Sequence, residues 1–373
     1  TLPELLRQNG YTTFATGKWH SDLKSFNRSF EKGENIFFGG MHSYQTNGHV
    51  SPRLYHYDPA GDYAGEPFTG KKFSSEMFAD AAVEFLQGRK KEKSPFFAYV
   101  AFTSPHDPRM QHPDYAQNYK ADTLNLPINF LPQHPFDNGD MKVRDEVLSP
   151  IPRNTQTIQK ELAGYYGMIS EVDTQIGRII QALKESGQMD NTILVFASDN
   201  GLAVGQHGLL GKQNLYDHSV RVPLVISVPG LEKEKGTKKD VNCYLYDVYP
   251  TLCDLTGTQP APSVTGKSLL PVIKGADKHR DCLFLAYNSI QRGLVKDGWK
   301  YIIYNVGGFR TEQLFDLKND PWEMVNHAQE PAYAFKLGAY KKLLKEEMEK
   351  NNDFCNLDDF FWWGKGEMLP WNE

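Results

Sequence analysis

The chain has 373 residues with 41 Lys and Arg against 46 Asp and Glu, a formal net charge of −5, so it offers no broad cationic face to nucleic acid and any anion must be bound locally. No apolar run approaches the ~20 residues needed to span a bilayer. The four cysteines, Cys243, Cys253, Cys282 and Cys355, form neither a Cys-x-x-Cys pair nor a zinc-ligand spacing, and are expected as small core residues.

Thr1 is not an initiator methionine, and Leu2 to Gly10 reads as a helix with Pro3 in its first turn and Gly10 after its last. The chain is therefore expected to open in the middle of a βα unit, with a further segment upstream. Tyr11 to Thr16 reads as a strand running into Gly17-Lys18-Trp19-His20. Met77, Phe78, Ala81, Ala82, Phe85 and Leu86 recur at helical spacing between Ser74 and Lys90, and the apolar run Phe96 to Phe102 leads into Thr103-Ser104-Pro105-His106. From about Met110 to Arg153 no period is visible. A stretch that long in a compact domain points to a functional insert, expected to face the substrate.

Thr157 to Ser186 carries Ile158, Leu162, Tyr165, Ile169, Val172, Ile176, Ile179 and Leu183 on one stripe, a long helix stopped at Gly187. Thr192 to Ala197 reads as a buried strand of a parallel sheet, followed at once by Ser198-Asp199-Asn200-Gly201. Gln206-His207-Gly208 and Gly211-Lys212 come next, then a strand from Val222 to Val228 and a helix near Tyr246 to Leu255. This alternation predicts an α/β fold built on a doubly wound, mostly parallel sheet. After Gly257 the pattern changes to short strands at 281–287, 292–295, 300–304 and 312–317, with turn signals at Lys296-Asp297-Gly298 and Val306-Gly307-Gly308. They predict a smaller antiparallel sheet, then a charged helix from Tyr333 to Lys350. The expected division is 1–270 for the α/β core and 271–373 for the small sheet, its helix and an aromatic tail of Phe360, Phe361, Trp362, Trp363 and Trp371. Such aromatics stack on sugar faces in some proteins, but more often close a core.

Open α/β sheets bind ligands beyond the carboxyl ends of their strands. That rule would collect Lys18, His20, His106, Asp199, Asn200, His207 and Lys212 at one sheet edge. Asp199 and Asn200 offer hard oxygen atoms suited to a divalent cation, and the lysines and histidines suit a multiply charged oxyanion. Each residue taken singly has a plainer reading, as a turn former, a solvated lysine or a hydrogen-bonded structural histidine.

The segment Gly10-Tyr-Thr-Thr-Phe-Ala-Thr-Gly-Lys-Trp-His20 is similar to a signature of the type I sulfatases, within the alkaline phosphatase superfamily. Pro105-His106-Asp107-Pro108 resembles their Pro-His-x-Pro element, and Ser198 to Gly201 their calcium-binding segment. Gly211-Lys212 with Val220 to Leu224 resembles their second active-site lysine region, and Phe315 to Pro321 the close of their small C-terminal sheet. The resemblance implies an alkaline-phosphatase-like fold and a sulfuric ester hydrolase acting on a sulfated carbohydrate, with periplasmic or secreted location. It also implies one Ca2+ with Asp199 and Asn200 among its ligands. Lys18 and Lys212 would place charge on the sulfate, His106 would act as general acid, His20 would lie beside a formylglycine nucleophile, and His207 would contact the sulfate or its sugar.

One element of the family is not found in these 373 residues: the Cys/Ser-x-Pro-Ser-Arg sequence whose first residue becomes formylglycine. The expectation is an N-terminally truncated sulfatase, inactive alone, whose full-length form is matured by a formylglycine-generating or anaerobic sulfatase-maturating enzyme. Two other readings stay open. One is a metal-dependent phosphomonoesterase or phosphodiesterase of the same superfamily, disfavoured by Asp-Asn where two-metal sites carry several Asp and His ligands. The other is a non-catalytic protein that binds sulfated glycans.

Overall fold

The computed structural model describes residues 1–231 and 236–362. Helix α1, Leu2–Gln8, is N-capped by Thr1, whose hydroxyl accepts from the Glu4 amide in a capping box. Strand β1, Thr12–Trp19, lies between β2, Lys32–Phe38, and β3, Phe96–Ala101, in a three-stranded parallel sheet of order β2-β1-β3. Helix α2, Leu23–Ser29, connects β1 to β2, and α3, Ser74–Gly88, precedes β3.

Alternation along β1 puts helices on both faces of this sheet. Phe14 stacks on Phe85 of α3 with ring centroids 4.4 Å apart, while Ala15, next in line, packs with Phe26 and Phe30 on the α2 side. The sheet is thus wound on two sides, and the molecule is mixed α/β with a parallel core, as the alternating pattern predicts. The register slips between Ala15 and Gly17, where β1 crowds the end of β3. Gly17 sits at φ +91°, and a Cβ there would overlap the Ala101 carbonyl oxygen, so only glycine lets β1 deliver Lys18 at this point.

The long helix α4, Thr155–Glu185, is N-capped by Asn154, whose side-chain oxygen accepts from the Gln156 and Thr157 amides. Toward its ends it buries Ile158, Leu162 and Leu183 of the apolar stripe, but in its middle the buried face turns away from the stripe: Gly164, Gly167, Met168, Glu171 and Gln175 are buried, while Ile169 is 41% exposed. The reason is close approach, since Gly164 and Gly167 seat the chain at Arg109 and Gln111 and turn that side of the helix inward.

Strand β4, Leu194–Ala197, differs from its expectation as a buried parallel strand. It pairs antiparallel with β5, Leu224–Ser227, as a separate two-stranded sheet, and Val195, Phe196 and Val225 are exposed. An apolar run records a preference for burial but does not name the neighbour that supplies it. Among the described residues, no other strand pairs with β4 or β5.

Helix α5, Val248–Thr256, leads out of this part of the chain and ends at Gly257 with φ +69°. Four antiparallel strands follow in the order β9-β8-β7-β6: β6, Cys282–Tyr287; β7, Gln291–Lys296; β8, Trp299–Val306; and β9, Phe309–Asp316. The turns at Asp297-Gly298 and Gly307-Gly308 have positive φ at both central residues, the geometry that a tight hairpin favours. Helix α6, Ala334–Lys350, packs on this sheet through Tyr340, Leu344 and Met348, with Trp362 closing the same core at 2% exposure. Phe360 and Phe361 are exposed, and Trp363 and Trp371 lie outside the described residues. Cys253 and Cys355 are buried, and all four cysteines are free thiols.

The other face of the small sheet joins the α/β part. Ile302, Tyr304 and Phe315 pack against Ala203, Leu209, Leu215 and Tyr216. Lys300 is buried beneath them, bonded to the Leu215 carbonyl at 3.1 Å and Glu323 at 2.6 Å and paired with Asp217. Among the described residues no helix is long and apolar enough to cross a membrane.

Candidate active site

The carboxyl ends of β1, β3 and β4 and the turn at Gly211 carry the candidate side chains. Lys18, at the end of β1, donates to the Gly40 carbonyl at 2.7 Å. Burial pushes its ammonium pKa down; Asp199 opposes that shift and Lys212 adds to it. His20 is likewise lowered, by burial first and then by Lys18 and Lys212, with Asp199 opposing and His106 contributing. Lys18, His20, Asp199 and Lys212 thus lie near enough to bias one another's charge, with His106 acting on His20. Lys212 Nζ lies 3.2 Å from His106 Nε2.

His106 sits in a loop built from below by two histidines that no sequence pattern singled out. His49 Nε2 bonds the His106 carbonyl at 3.0 Å and its Nδ1 bonds the Ser74 hydroxyl at 2.9 Å. His42 Nε2 bonds the Thr103 hydroxyl at 3.0 Å. Burial pushes His42 down to about 3 and His49 down to about 4, so both are neutral struts at neutral pH. Lone histidines outside any strand-end pattern carry no signal that could have found them.

The second group missed by sequence reasoning is Asp107, Arg144, Asp145 and Glu146. Asp107 faces His106 Nδ1 at 3.2 Å through Oδ1 and at 3.0 Å through its own carbonyl. Arg144 grips both Asp107 carboxylate oxygens and also donates to Asp145 at 2.7 Å. Burial alone would raise the Asp107 pKa, but hydrogen bonds from His106 and Arg144 outweigh it and hold the carboxyl well below its usual value. Asp145 lies 3.4 Å from Lys212 Nζ and accepts from Gln213 at 2.9 Å. Glu146, buried and paired with Arg153, accepts from the Leu210 amide at 3.0 Å and the Gly211 amide at 2.8 Å, so it fixes the turn that presents Lys212. The 110–153 stretch, expected to face the substrate, is seen here buttressing the candidate catalytic groups.

Asp199 and Asn200 follow β4 directly, both exposed. Asp199 Oδ1 accepts from the Asn200 amide at 2.8 Å, and the Gly201 amide donates to the Ser219 carbonyl at 2.9 Å. A Cβ on Gly201 would overlap the His218 carbonyl, so glycine is needed where this turn meets its neighbour. A carboxylate and an amide oxygen suit a hard cation in kind, but two side chains fall short of the 6–8 oxygen ligands that calcium takes. Among the described residues no three His, Cys, Asp or Glu side chains gather as a metal site.

His207 is placed differently from the other candidates. It is 6% exposed, stacks on Tyr216 with centroids 4.0 Å apart, and its Nε2 lies 3.1 Å from Asn129 Nδ2. Burial, then nearby His134, pushes it down to about 4. These contacts make it a neutral strut between the insert and the Tyr216 segment, because its ring face and Nε2 are already engaged.

Comparison with known proteins places the chain in a family. The family model described as Sulfatase matches residues 1–258, and that described as N-sulphoglucosamine sulphohydrolase, C-terminal, matches residues 205–353. An arylsulfatase of Clostridium perfringens is 32% identical over 278 residues, covering 72% of this chain and 56% of that protein. An N-acetylglucosamine-6-O-sulfatase of Bacteroides thetaiotaomicron is 25% identical over 422 residues, covering 95% of this chain and 73% of that protein. The solved phosphonate monoester hydrolase of Agrobacterium radiobacter has the same fold, with a TM-score of 0.72 at 23% identity over 96% of this chain and 82% of that one. The chain therefore spans little more than half of the arylsulfatase. With the sulfatase model covering its first 258 residues, and with the small sheet matched separately, the chain belongs to the sulfatase family.

Proposed function

We propose that this protein contributes the greater part of a sulfatase that removes sulfate from a sulfated carbohydrate. The observation that carries the reading is the Lys212–His106 contact at 3.2 Å, with Lys18, His20 and Asp199 near enough to bias one another's charge beyond the ends of β1, β3 and the separate strand β4. Breaking a sulfate monoester leaves negative charge on the non-bridging oxygens and on the leaving oxygen, and a catalyst must meet both. Lys18 and Lys212 meet the first. As the ester S–O bond breaks and the sulfuryl group passes to the nucleophile, its electron pair stays with the sugar oxygen, which takes the proton of His106 Nε2. His20, beside Lys18, is suited to assist release of sulfate.

Calcium, held in part by Asp199 and Asn200, would polarise the sulfate when bound. The nucleophile is expected to be a formylglycine supplied by a segment carrying the Cys/Ser-x-Pro-Ser-Arg element, matured by a formylglycine-generating or anaerobic sulfatase-maturating enzyme. A sulfated sugar as substrate rests on relatives such as the N-acetylglucosamine-6-O-sulfatase, and a periplasmic or secreted location on the family resemblance alone. The test is sulfate release from sulfated monosaccharides and 4-nitrophenyl sulfate. The 373-residue chain should be silent, and a protein extended with the formylglycine-bearing segment in a maturase-containing host should turn over with calcium. Turnover by the unextended chain would reject the dependence on that segment. Zinc-dependent cleavage of phosphate esters in preference to sulfate would reject the sulfatase reading.

A further inference from the structure

Histidine 106 has both of its ring nitrogens engaged, by chemically opposite partners. Nδ1 faces two oxygens of Asp107, the backbone carbonyl at 3.0 Å and carboxylate Oδ1 at 3.2 Å. Neither oxygen can donate, so Nδ1 must carry the hydrogen. Nε2 faces the Lys212 ammonium at 3.2 Å, which can only donate, so Nε2 presents a lone pair in the neutral ring. The tautomer follows from these partners.

Asp107 is itself held. It is 5% exposed, and the guanidinium of Arg144 engages both carboxylate oxygens in a fork. Arg144 comes from the 110–153 insert, 37 residues away in sequence, and the next residue, Asp145, reaches Lys212. One dipeptide of the insert therefore reaches both groups that would flank the leaving oxygen and the sulfate.

We infer that Asp107 is a positioning residue for His106, fixing the ring with Nδ1 as donor so that Nε2, on the Lys212 side, is the nitrogen that gives up and regains a proton, and that Arg144 locks Asp107 in that role. The inference rests on the sulfatase reading for its chemical purpose. In that chemistry the proton leaves Nε2 for the sugar oxygen as the S–O bond breaks, and the neutral ring that remains has its hydrogen on Nδ1. That is the tautomer the Asp107 oxygens already hold, so the ring gives up its proton and is recharged at one nitrogen without rotating. A ring free to adopt the Nε2–H neutral form would lose that match. Among the described residues, other charged or titratable groups around His106 and Asp107 include Lys212, His20, His42, His49 and Tyr44, and no contact of theirs gives Nδ1 an acceptor.

The experiment reads the tautomer directly, by 15N-correlated NMR of the His106 imidazole in the whole chain, at a pH where the ring is neutral. Wild type is expected to show the Nδ1–H form. Asp107→Asn, which keeps the shape and removes the charge and one acceptor, should populate the Nε2–H form, and Arg144→Ala should do so to a smaller extent. A wild-type ring in the Nε2–H form, or unchanged shifts in both variants, would overturn the inference. If Asp107→Asn fails to fold, Arg144→Lys serves in its place, since lysine keeps the charge but loses the fork and should give a partial shift. In the extended, matured enzyme Asp107→Asn should lower kcat on a sugar sulfate about tenfold or more with KM little changed, and spare a nitrophenyl sulfate. Because the spectrum needs no substrate, the expected shifts combined with an extended, matured enzyme that fails to release sulfate would overturn the proposed activity and still support the positioning role.

Discussion

His106 and Lys212 lie 3.2 Å apart yet are expected to fail in different ways when replaced. A general acid matters most when the leaving alcohol is poor. In the matured enzyme His106→Ala should therefore lower kcat/KM on a sugar sulfate by about 10²-fold or more beyond its effect on a nitrophenyl sulfate. Lys212→Ala removes charge that both substrates need at the sulfate, so its losses should be alike. Kinetics of both variants on both esters decide this, and equal damage by His106→Ala would move the acid role elsewhere. Asp199 makes a separate case, being exposed and directed by its Asn200 amide contact. If it ligates calcium, Asp199→Ala should weaken calcium binding, measured by calorimetric titration of the extended protein, because charge count governs such sites. Unchanged affinity would remove Asp199 from the ligand set.

Among the elements, the 110–153 insert is the one whose part changes most on seeing the structure. Its Glu146 carboxylate is buried with Arg153 and holds the Leu210 and Gly211 amides that lead to Lys212. Glu146→Gln leaves the shape almost intact but strands a buried arginine, which typically costs about 3–5 kcal/mol. Urea denaturation at neutral pH should show that loss, and an unaltered midpoint would mean that the pair is not what holds the turn. Sequence patterns located this stretch by its lack of period, but could not say which of its charges turn inward. Arg144, Asp145 and Glu146 carry no pattern in the sequence that names their partners, and only the fold brings Asp107 and Gly211 to them. The helix α4 shows the same limit: its length and its stop at Gly187 were legible, while the Asn154 cap and the close approach that buries Gly164 and Gly167 in its middle were not.

For the whole molecule, the buried histidines tie stability to pH. His42 is pushed down to about 3, and His49 and His207 to about 4, from an ordinary 6.5. Between those values and 6.5 the unfolded chain binds protons that the folded one refuses, so stability is complete above pH 6.5 and falls as pH drops toward 4. Each histidine contributes a slope of up to about 1.4 kcal/mol per pH unit within that window. Chemical denaturation at pH 7, 6 and 5 should show a steady decline, less steep in His207→Gln. A midpoint that does not move over that range would show that the three rings are not held neutral. The link between the α/β part and the small sheet, through Lys300, Glu323 and Asp217, sits in the same buried interior.

The sequence determined most of the elements and the ends of several strands, though not α2 or β2. Period and turn chemistry marked the parallel strands around Gly17, the hairpins at Asp297-Gly298 and Gly307-Gly308, and the residues that leave strand ends, Lys18, His106 and Asp199, because these depend on local sterics and alternation. Only the tertiary structure decided which charges meet. The Asp107–Arg144 fork, the Glu146 hold on the Lys212 turn, the burial of His207 against Tyr216 and the antiparallel pairing of β4 with β5 all join residues distant in sequence. A side chain's preference for burial or for a counter-charge is encoded locally, but the partner that satisfies it is chosen by how the elements pack.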